Sequence, residues 1–136
     1  MSADGPPAVG VGRLSLVVLD CPDPRRLAVF CSALLGWPLT DPDPSAGWTE
    51  IRGPQGAGLA FQGVLNHVPP TWPDGGIPQQ FHLDIDVADL GTAEAAVLAA
   101  GATAIGPPDQ VDGAGGTFRV YADPAGHPFC LCRAAH

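Results

Sequence analysis

Hydrophobic and polar residues alternate over positions 81–87, which is the pattern of a β-strand that buries one of its two faces. After Asp89, apolar residues recur at steps of three and four positions until Gly101 is reached. An aspartate before such a run and a glycine behind it are typical of the two ends of a helix. The sequence therefore predicts a strand over 80–87 and an amphipathic helix over 89–99.

The same order of elements occurs in the first half of the chain. An apolar strand is predicted over 13–19, an Asp-Pro turn follows it, and a helical stripe over 24–35 stops at Gly36. Three further strand-like segments follow each helix, so the sequence predicts an α+β fold of two tandem β-α-β-β-β modules. These later strands are predicted over 37–40, 48–52 and 59–64 in the first copy, and over 102–105, 117–121 and 127–132 in the second.

The module boundaries follow from local composition. Residues 1–12 are rich in alanine, glycine and proline, and we expect them to form a flexible leader. Modules 13–64 and 79–133 are separated by a linker, 65–78, that contains several prolines and a Gly-Gly pair. One helix covers only one face of a small sheet. We therefore expect the helices on the outer face, and the two open sheet faces curled into a shared cup that binds a small molecule.

Composition and charge limit the partners of the chain. The 136 residues, 46% of them hydrophobic, are enough for one compact domain with a real core. A net charge of −8 repels nucleic acids and anionic membranes, so we expect neither as a partner. No apolar run approaches the roughly 20 residues needed to cross a bilayer, and the first residues lack the pattern of a signal peptide. We therefore expect a cytoplasmic protein.

The cysteines are predicted to be reduced thiols. Cys130 and Cys132 are two positions apart in one predicted strand, so their side chains point the same way and are badly placed to bond each other. A lone C-x-C pair is also a weak signal for zinc. We expect small buried residues at all four positions, which are Cys21, Cys31, Cys130 and Cys132.

Three segments of the chain, 14–37, 81–102 and 118–133, carry a family resemblance. Together they resemble the vicinal oxygen chelate superfamily, which includes glyoxalase I, extradiol dioxygenases, fosfomycin-resistance enzymes and bleomycin-resistance binding proteins. More narrowly, the chain is similar to the glyoxalase-like domains common in actinobacteria. The resemblance extends over residues 13–133 and implies the tandem-module fold, whereas the reaction differs among members of the superfamily.

The resemblance also indicates where a metal would bind. In this superfamily, the metal ligands come from the first and last strand of each module, and the corresponding positions here are Leu16, Gln62, His82 and Cys130. Metalloenzymes of the superfamily usually have histidine or glutamine, glutamate, histidine and glutamate at these places. Only His82 is an unambiguous ligand type for a metal that prefers oxygen and imidazole donors. The sequence therefore predicts neither a bound metal nor another cofactor.

The polar face of the strand 80–87 provides the candidate catalytic residues, His82 and Asp84. His82 either contacts a ligand or acts as a general acid or base, or it is a hydrogen-bonded remnant of the metal position without a role. Asp84 is expected to need a positively charged partner, either Arg52, Arg119 or a cationic ligand. The predicted ligand-binding residues are Leu16, Val18, Trp48, Glu50, Ala60, Gln62, His82, Asp84 and Cys130.

Two functions are consistent with these residues. The first is a metal-independent protein of the glyoxalase or bleomycin-resistance type that holds an apolar or aromatic small molecule in the cup, with a role in drug or metabolite resistance. The alternative is a lyase, isomerase or dioxygenase of the superfamily that uses His82 with a degenerate metal site or with no metal. The resemblance further implies a homodimer.

Overall fold

A computed structural model describes residues 10–40 and 47–134 of the chain. Nine of the twelve residues of the predicted flexible leader, 1–12, lie outside the described residues, as do residues 41–46. No helix in the described ranges is long and apolar enough to cross a membrane.

The described residues of the first module form one helix and four strands. Helix α1 (Pro24–Leu35) has the bounds predicted from the sequence, because the Asp23 carboxylate accepts a hydrogen bond from the backbone N–H of Arg26 and Gly36 adopts a left-handed conformation with φ of 71°. The strands are β1 (Leu16–Cys21), β2 (Leu39–Thr40), β3 (Trp48–Arg52) and β4 (Gly58–Gly63).

The second module repeats this order and adds one short strand. Helix α2 (Leu90–Ala100) begins after Asp89, whose carboxylate accepts a hydrogen bond from the backbone N–H of Thr92, and it ends at Gly101. The strands are β5 (Leu83–Asp86), β6 (Thr103–Ala104), β7 (Gln110–Val111), β8 (Thr117–Ala122) and β9 (Pro128–Arg133). No strand was predicted at β7, because a two-residue strand between glycines and prolines has no measurable alternation.

The strands form two mixed sheets, one in each module. The order is β1-β4-β3-β2 in the first sheet and β5-β9-β8-β6 in the second, where β7 also pairs with β8. Strands β1 and β4 are parallel, as are β5 and β9, and the other pairs are antiparallel. The predicted α+β fold with two tandem modules is confirmed.

A single hydrophobic core joins the two modules. It contains residues of both helices and both sheets. Phe30 of α1 packs edge-on against Phe129 of β9, with ring centroids 5.8 Å apart, and Phe129 in turn stacks on Tyr121 of β8. The helices therefore cover one side of the sheets, and the side chains that alternate with these core residues lie on the other side.

Strand β5 is shorter than the prediction of 80–87. Gln80 has a φ of 67°, and the N–H of Phe81 donates a 2.7 Å hydrogen bond to the carbonyl oxygen of Gln79. A hydrogen bond between residues two apart around a positive φ defines a γ-turn, and this turn interrupts the extended backbone. The alternation predicted from Leu83 onward is nevertheless present, since Leu83 and Ile85 are partly buried and Asp84 and Asp86 are exposed.

Candidate functional site

The open face of the second sheet brings the predicted residues of this module together. Asp84 on β5 lies opposite Cys130 on β9, and Cys130 lies opposite Val120 on β8. Side chains directly opposite one another on neighbouring strands share one face of a sheet. His82 precedes Asp84 by two residues and contacts it, so it lies at the edge of the same face.

His82 and Asp84 form the central polar pair of this face. The Nε2 atom of His82 lies 3.1 Å from Oδ1 of Asp84, and both side chains remain partly exposed. Neither of the two arginines considered as partners reaches Asp84, because Arg52 and Arg119 contact other carboxylates. Arg52 belongs to the other module, and Arg119 alternates with Val120 along β8 and therefore lies on the opposite face. His82, just ahead of β5, is the neighbour of Asp84, and a cationic ligand as its partner stays a prediction.

Cys130 contributes a neutral thiol beside this pair. Cys130 as a whole is 8% exposed to solvent. Burial raises the pKa of the Cys130 thiol to about 12, and the neighbouring Asp84 carboxylate adds to the shift because it disfavours a second negative charge. The prediction of reduced thiols is confirmed, since all four cysteines are free. Cys130 is thus a small, uncharged part of the wall rather than a nucleophile.

A cavity of about 350 Å³ opens on this face and contains His82, Asp84 and Cys130. Two aromatic side chains form part of its wall, Trp72 from the linker and Phe118 from β8. The remaining lining residues are Gln79, Gln110, Asp112, Val120, Pro128 and Cys132. A cavity of this size with mostly apolar walls and a few polar groups has the usual composition of a site for a small organic molecule.

Eight residues of this cavity were not predicted as site residues. Phe118, Val120, Pro128 and Cys132 belong to β8 and β9, whereas Trp72, Gln79, Gln110 and Asp112 lie outside the long periodic segments, either in the linker, just before β5, or around β7. Of these residues, only Trp72 could have been identified from the sequence as a candidate, because a large aromatic residue is unusual among the prolines and glycines of a linker.

The predicted residues of the first module lie on the open face of the other sheet. Val18 is paired with Ala60, which is paired with Glu50. Gln62 is likewise paired with Trp48, whose indole N–H donates a 2.8 Å hydrogen bond to Oε2 of Glu50. Leu16, at the start of β1, shares this face with Val18 by alternation.

These first-module residues share a face with one another but do not line the cavity that contains His82. The walls of that cavity come from the second module and from the linker, so the two open faces do not enclose one common cavity around His82. Trp72 of the linker and Gln79, just ahead of β5, form part of its wall instead. Val18 instead lines a groove of about 490 Å³ between β1, the linker and the start of β5.

The described residues do not fit the divalent metal of the metalloenzymes in this superfamily. The nearest arrangement is His82, Asp84 and Cys130, whose possible ligand atoms all lie within 4.8 Å of one another. Leu16 has no donor atom, and Gln62 lies on the other sheet. Cys130 offers a soft thiol, and His82 and Asp84 offer one imidazole and one carboxylate. The set therefore has a single hard oxygen donor, fewer than such a metal requires.

Comparisons with known proteins agree with the fold and identify the family. The sequence matches none of the curated proteins with which it was compared. In contrast, the profile of the glyoxalase-like domain matches residues 16–132, which is nearly the whole chain.

Solved structures show the same fold at low sequence identity. The chain is similar to a glyoxalase/bleomycin resistance protein/dioxygenase family enzyme from Burkholderia phytofirmans, with a TM-score of 0.71, 17% identity, and 91% of this chain and 100% of that chain covered. For a glyoxalase/bleomycin resistance protein from Albidiferax ferrireducens, the TM-score is 0.62 and the identity 19%, with 90% of this chain and 98% of that chain covered. For a glyoxalase/bleomycin resistance protein/dioxygenase from Nocardioides, the TM-score is 0.65 and the identity 16%, with 95% of this chain and 87% of that chain covered. The chain therefore belongs to the glyoxalase-like domain family, within the vicinal oxygen chelate superfamily.

Proposed function

We propose that the chain is a metal-independent binding protein for a flat organic molecule, which it holds in the cavity around His82. The observation that carries this proposal is the cavity of about 350 Å³ with Trp72 and Phe118 in its wall and the adjacent His82 and Asp84 side chains at one side. Aromatic walls favour a planar ligand by stacking, and a small number of polar groups fix its orientation.

The charges of the cavity favour a ligand with a positive or hydrogen-bond-donating group. Asp84 and Asp112 both line it, and its described lining contains no lysine or arginine. Asp112 uses Oδ1 to accept hydrogen bonds from the backbone N–H groups of Ala114 and Gly116, so its position in the loop is fixed. The Asp84 carboxylate, in contrast, is exposed to solvent in the cavity. In a protein with a net charge of −8, such a site attracts cations and repels anions.

The test is a calorimetric titration of the purified protein with a panel of aromatic natural products that differ in charge. We expect cationic and neutral donor-bearing members to bind and carboxylate analogues of the same ring to bind weakly. The titration is repeated with Asp84→Ala and with Asp86→Ala as a control, because Asp86 has the same charge in the same strand but does not line the cavity. Equal loss of binding in both variants, or no binding in the wild type, would contradict the proposal.

A second candidate function, a cofactor-free enzyme, is favoured by the contact between His82 and Asp84. The Asp84 carboxylate lies next to Nε2 of the His82 imidazole, so Nδ1 is the nitrogen that takes a proton from a ligand or returns it. This is the arrangement of an oriented general base. Incubation of the protein with each compound that binds, followed by mass spectrometry, distinguishes the two functions. Chemical change that disappears in Asp84→Asn while binding persists would establish the enzyme.

We also propose a homodimer in which a second copy covers the groove beside the linker. Half of the exposed large hydrophobic residues in the described chain line this groove. Strand β1 and strand β5, which border it, are both edge strands of their sheets. The residues concerned are Val18, Leu65, Val68, Ile77 and Phe81.

The test of the homodimer is light scattering at micromolar concentration. We expect a dimer mass for the wild type and for Val29→Asp, in which an exposed valine of α1 outside the groove is replaced. A monomer mass is expected for Leu65→Asp, because it places a charge in the apolar groove. A monomeric wild type would contradict the proposal.

A further inference from the structure

Two glutamine side chains that line the cavity each have a buried polar atom without a hydrogen-bond partner among the described residues. Oε1 of Gln79 and Nε2 of Gln110 are both shielded from solvent, and neither has a hydrogen-bond partner among the described residues. Both residues line the cavity that contains His82. Buried polar groups are normally paired, since an unpaired one is destabilising. One unmet acceptor and one unmet donor in the same wall point to a ligand that supplies the missing partners.

A strained backbone places Gln79 in this wall. Gln79 and His82 are three positions apart, so in an uninterrupted strand their side chains would lie on opposite faces. The γ-turn centred on Gln80, with its φ of 67°, breaks the alternation and allows both side chains to line the cavity. Positive φ is unfavourable for a residue other than glycine and is enriched at functional sites. The turn therefore has a specific effect, which is the orientation of Gln79.

Gln110 is placed by β7 and by the linker. It pairs with Phe118 on β8, so the amide and the aromatic ring are neighbours in the wall. On its other side, a Cβ atom added at Gly106 would lie 3.3 Å from Nε2 of Gln110 and 3.1 Å from the Trp72 ring. The Gln110 amide and the Trp72 indole thus both lie next to Gly106, where the indole contributes to shielding the amide from water.

We infer that Gln79 and Gln110 select ligands whose ring carries both a hydrogen-bond donor and an acceptor, as in a carboxamide, a lactam or an aminated heterocycle. The inference rests on the proposed binding function and narrows its ligand class. Gln79 accepts the ligand's N–H, and Gln110 donates to its carbonyl or ring nitrogen. Both amides turn toward the ligand as it enters, which their long unbranched side chains allow. A ligand without these groups leaves the two amides unpaired, and a site of this kind discriminates strongly against it.

The probes for this inference share one ring and differ in their hydrogen bonds. Benzamide supplies a donor and an acceptor, N,N-dimethylbenzamide supplies only the acceptor, and benzamidine supplies donors with a positive charge. Binding is followed by NMR titration of the indole N–H of Trp72 and the imidazole of His82. We expect benzamide to bind wild type about tenfold more tightly than its dimethyl analogue, the usual effect of one buried hydrogen bond to a polar partner.

Three leucine variants then separate ligand recognition from a structural role. Gln79→Leu and Gln110→Leu should lose the preference for benzamide over its dimethyl analogue, whereas Gln55→Leu, in the exposed turn between β3 and β4, should keep it. Because each leucine removes a buried unpaired polar atom, the first two variants should melt at or above the wild-type temperature. Variants that melt lower would show that the amides are structural.

The outcomes distinguish this inference from the proposed function. If no probe shifts the Trp72 or His82 resonances, the binding function and the inference both fail. If the probes bind the wild type and the variants with equal preference, the cavity binds ligands but the two glutamines do not select them, and only the inference fails.

Discussion

The imidazole of His127 connects the two modules, because its Nε2 atom lies 2.8 Å from the carbonyl oxygen of Asp20 in β1. Its other nitrogen, Nδ1, lies 2.8 Å from Oδ2 of Asp123, in the turn between β8 and β9. The ring centroid of His67 lies 5.6 Å from that of His127. The Asp123 carboxylate also accepts two hydrogen bonds from backbone N–H groups. Both nitrogens of His127 face acceptors, so only the doubly protonated imidazolium satisfies both contacts.

The first prediction is that stability falls as the pH rises through neutrality. Burial alone lowers the pKa of His127, but the hydrogen bond and charge of Asp123 and the Asp20 carbonyl outweigh it, and the net shift is upward. A raised pKa in the folded state stabilises the protein fully below the unfolded pKa of about 6.5, and the contribution is lost as the pH rises through the folded pKa.

The measurement is the melting temperature at pH values from about 6 to 9 for the wild type and for His127→Gln, with an NMR titration of the His127 ring. We expect the wild-type curve to decline over this range and the variant curve to be flatter. His67→Gln is the control for the neighbouring ring, which contacts the Ala125 carbonyl. Parallel curves for the wild type and His127→Gln would contradict the prediction.

The second prediction concerns the polar pair of the cavity. His82→Ala and Asp84→Ala should each weaken ligand binding by about 1–3 kcal/mol, the usual loss when a hydrogen bond to a charged or polar partner is removed. Both side chains are partly exposed and outside the core, so the melting temperature should change little. Calorimetry gives the first quantity and thermal unfolding the second. Variants that bind like the wild type would remove both residues from the site.

The third prediction is that the purified protein carries no stoichiometric transition metal. Its physical basis is the donor set, which offers one imidazole, one carboxylate next to that imidazole, and one soft thiol. Elemental analysis after dialysis without chelator measures the metal content. About one zinc, nickel, manganese or iron per chain, lost in His82→Ala, would contradict the prediction.

The fourth prediction tests the contact between Trp72 and Gly106. A methyl group added at Gly106 would lie 3.1 Å from the indole, which must then move. Gly106→Ala should therefore shift the indole by a few tenths of an ångström, change the fluorescence of the protein and weaken ligand binding. Gly113→Ala is the matched control, since a Cβ there meets open space. Equal behaviour of the two variants would show that Trp72 is not packed on Gly106.

Much of the fold could be predicted from local patterns. Helix α1 was predicted to the residue because Asp23, Pro24 and Gly36 fix its ends by chemistry that acts over one turn. The long strands β3 and β9 were found to within one residue for a similar reason, since alternation is a local property. The γ-turn at Gln80 and the two-residue strand β7 were missed, because neither leaves a periodic signal.

The candidate site was predictable only where it depends on alternation within the second module. His82, Asp84 and Cys130 were expected together and lie together. The place of Trp72 in the wall results from a contact over more than thirty positions, with Gly106, and no local pattern encodes such a contact. For the same reason the sequence could not show that the linker, rather than the first module, contributes to the wall of the cavity.

The position of the linker has a consequence for how proteins of this fold acquire new ligands. Trp72 lies in a segment that belongs to neither repeat, and it is absent from the shared hydrophobic core. Insertions, deletions and substitutions in this segment would remodel the cavity wall while leaving both helices and the sheet pairing unchanged. The duplicated modules can then be kept constant through evolution as a stable frame, and the stretch between them is free to diverge until it fits a different molecule.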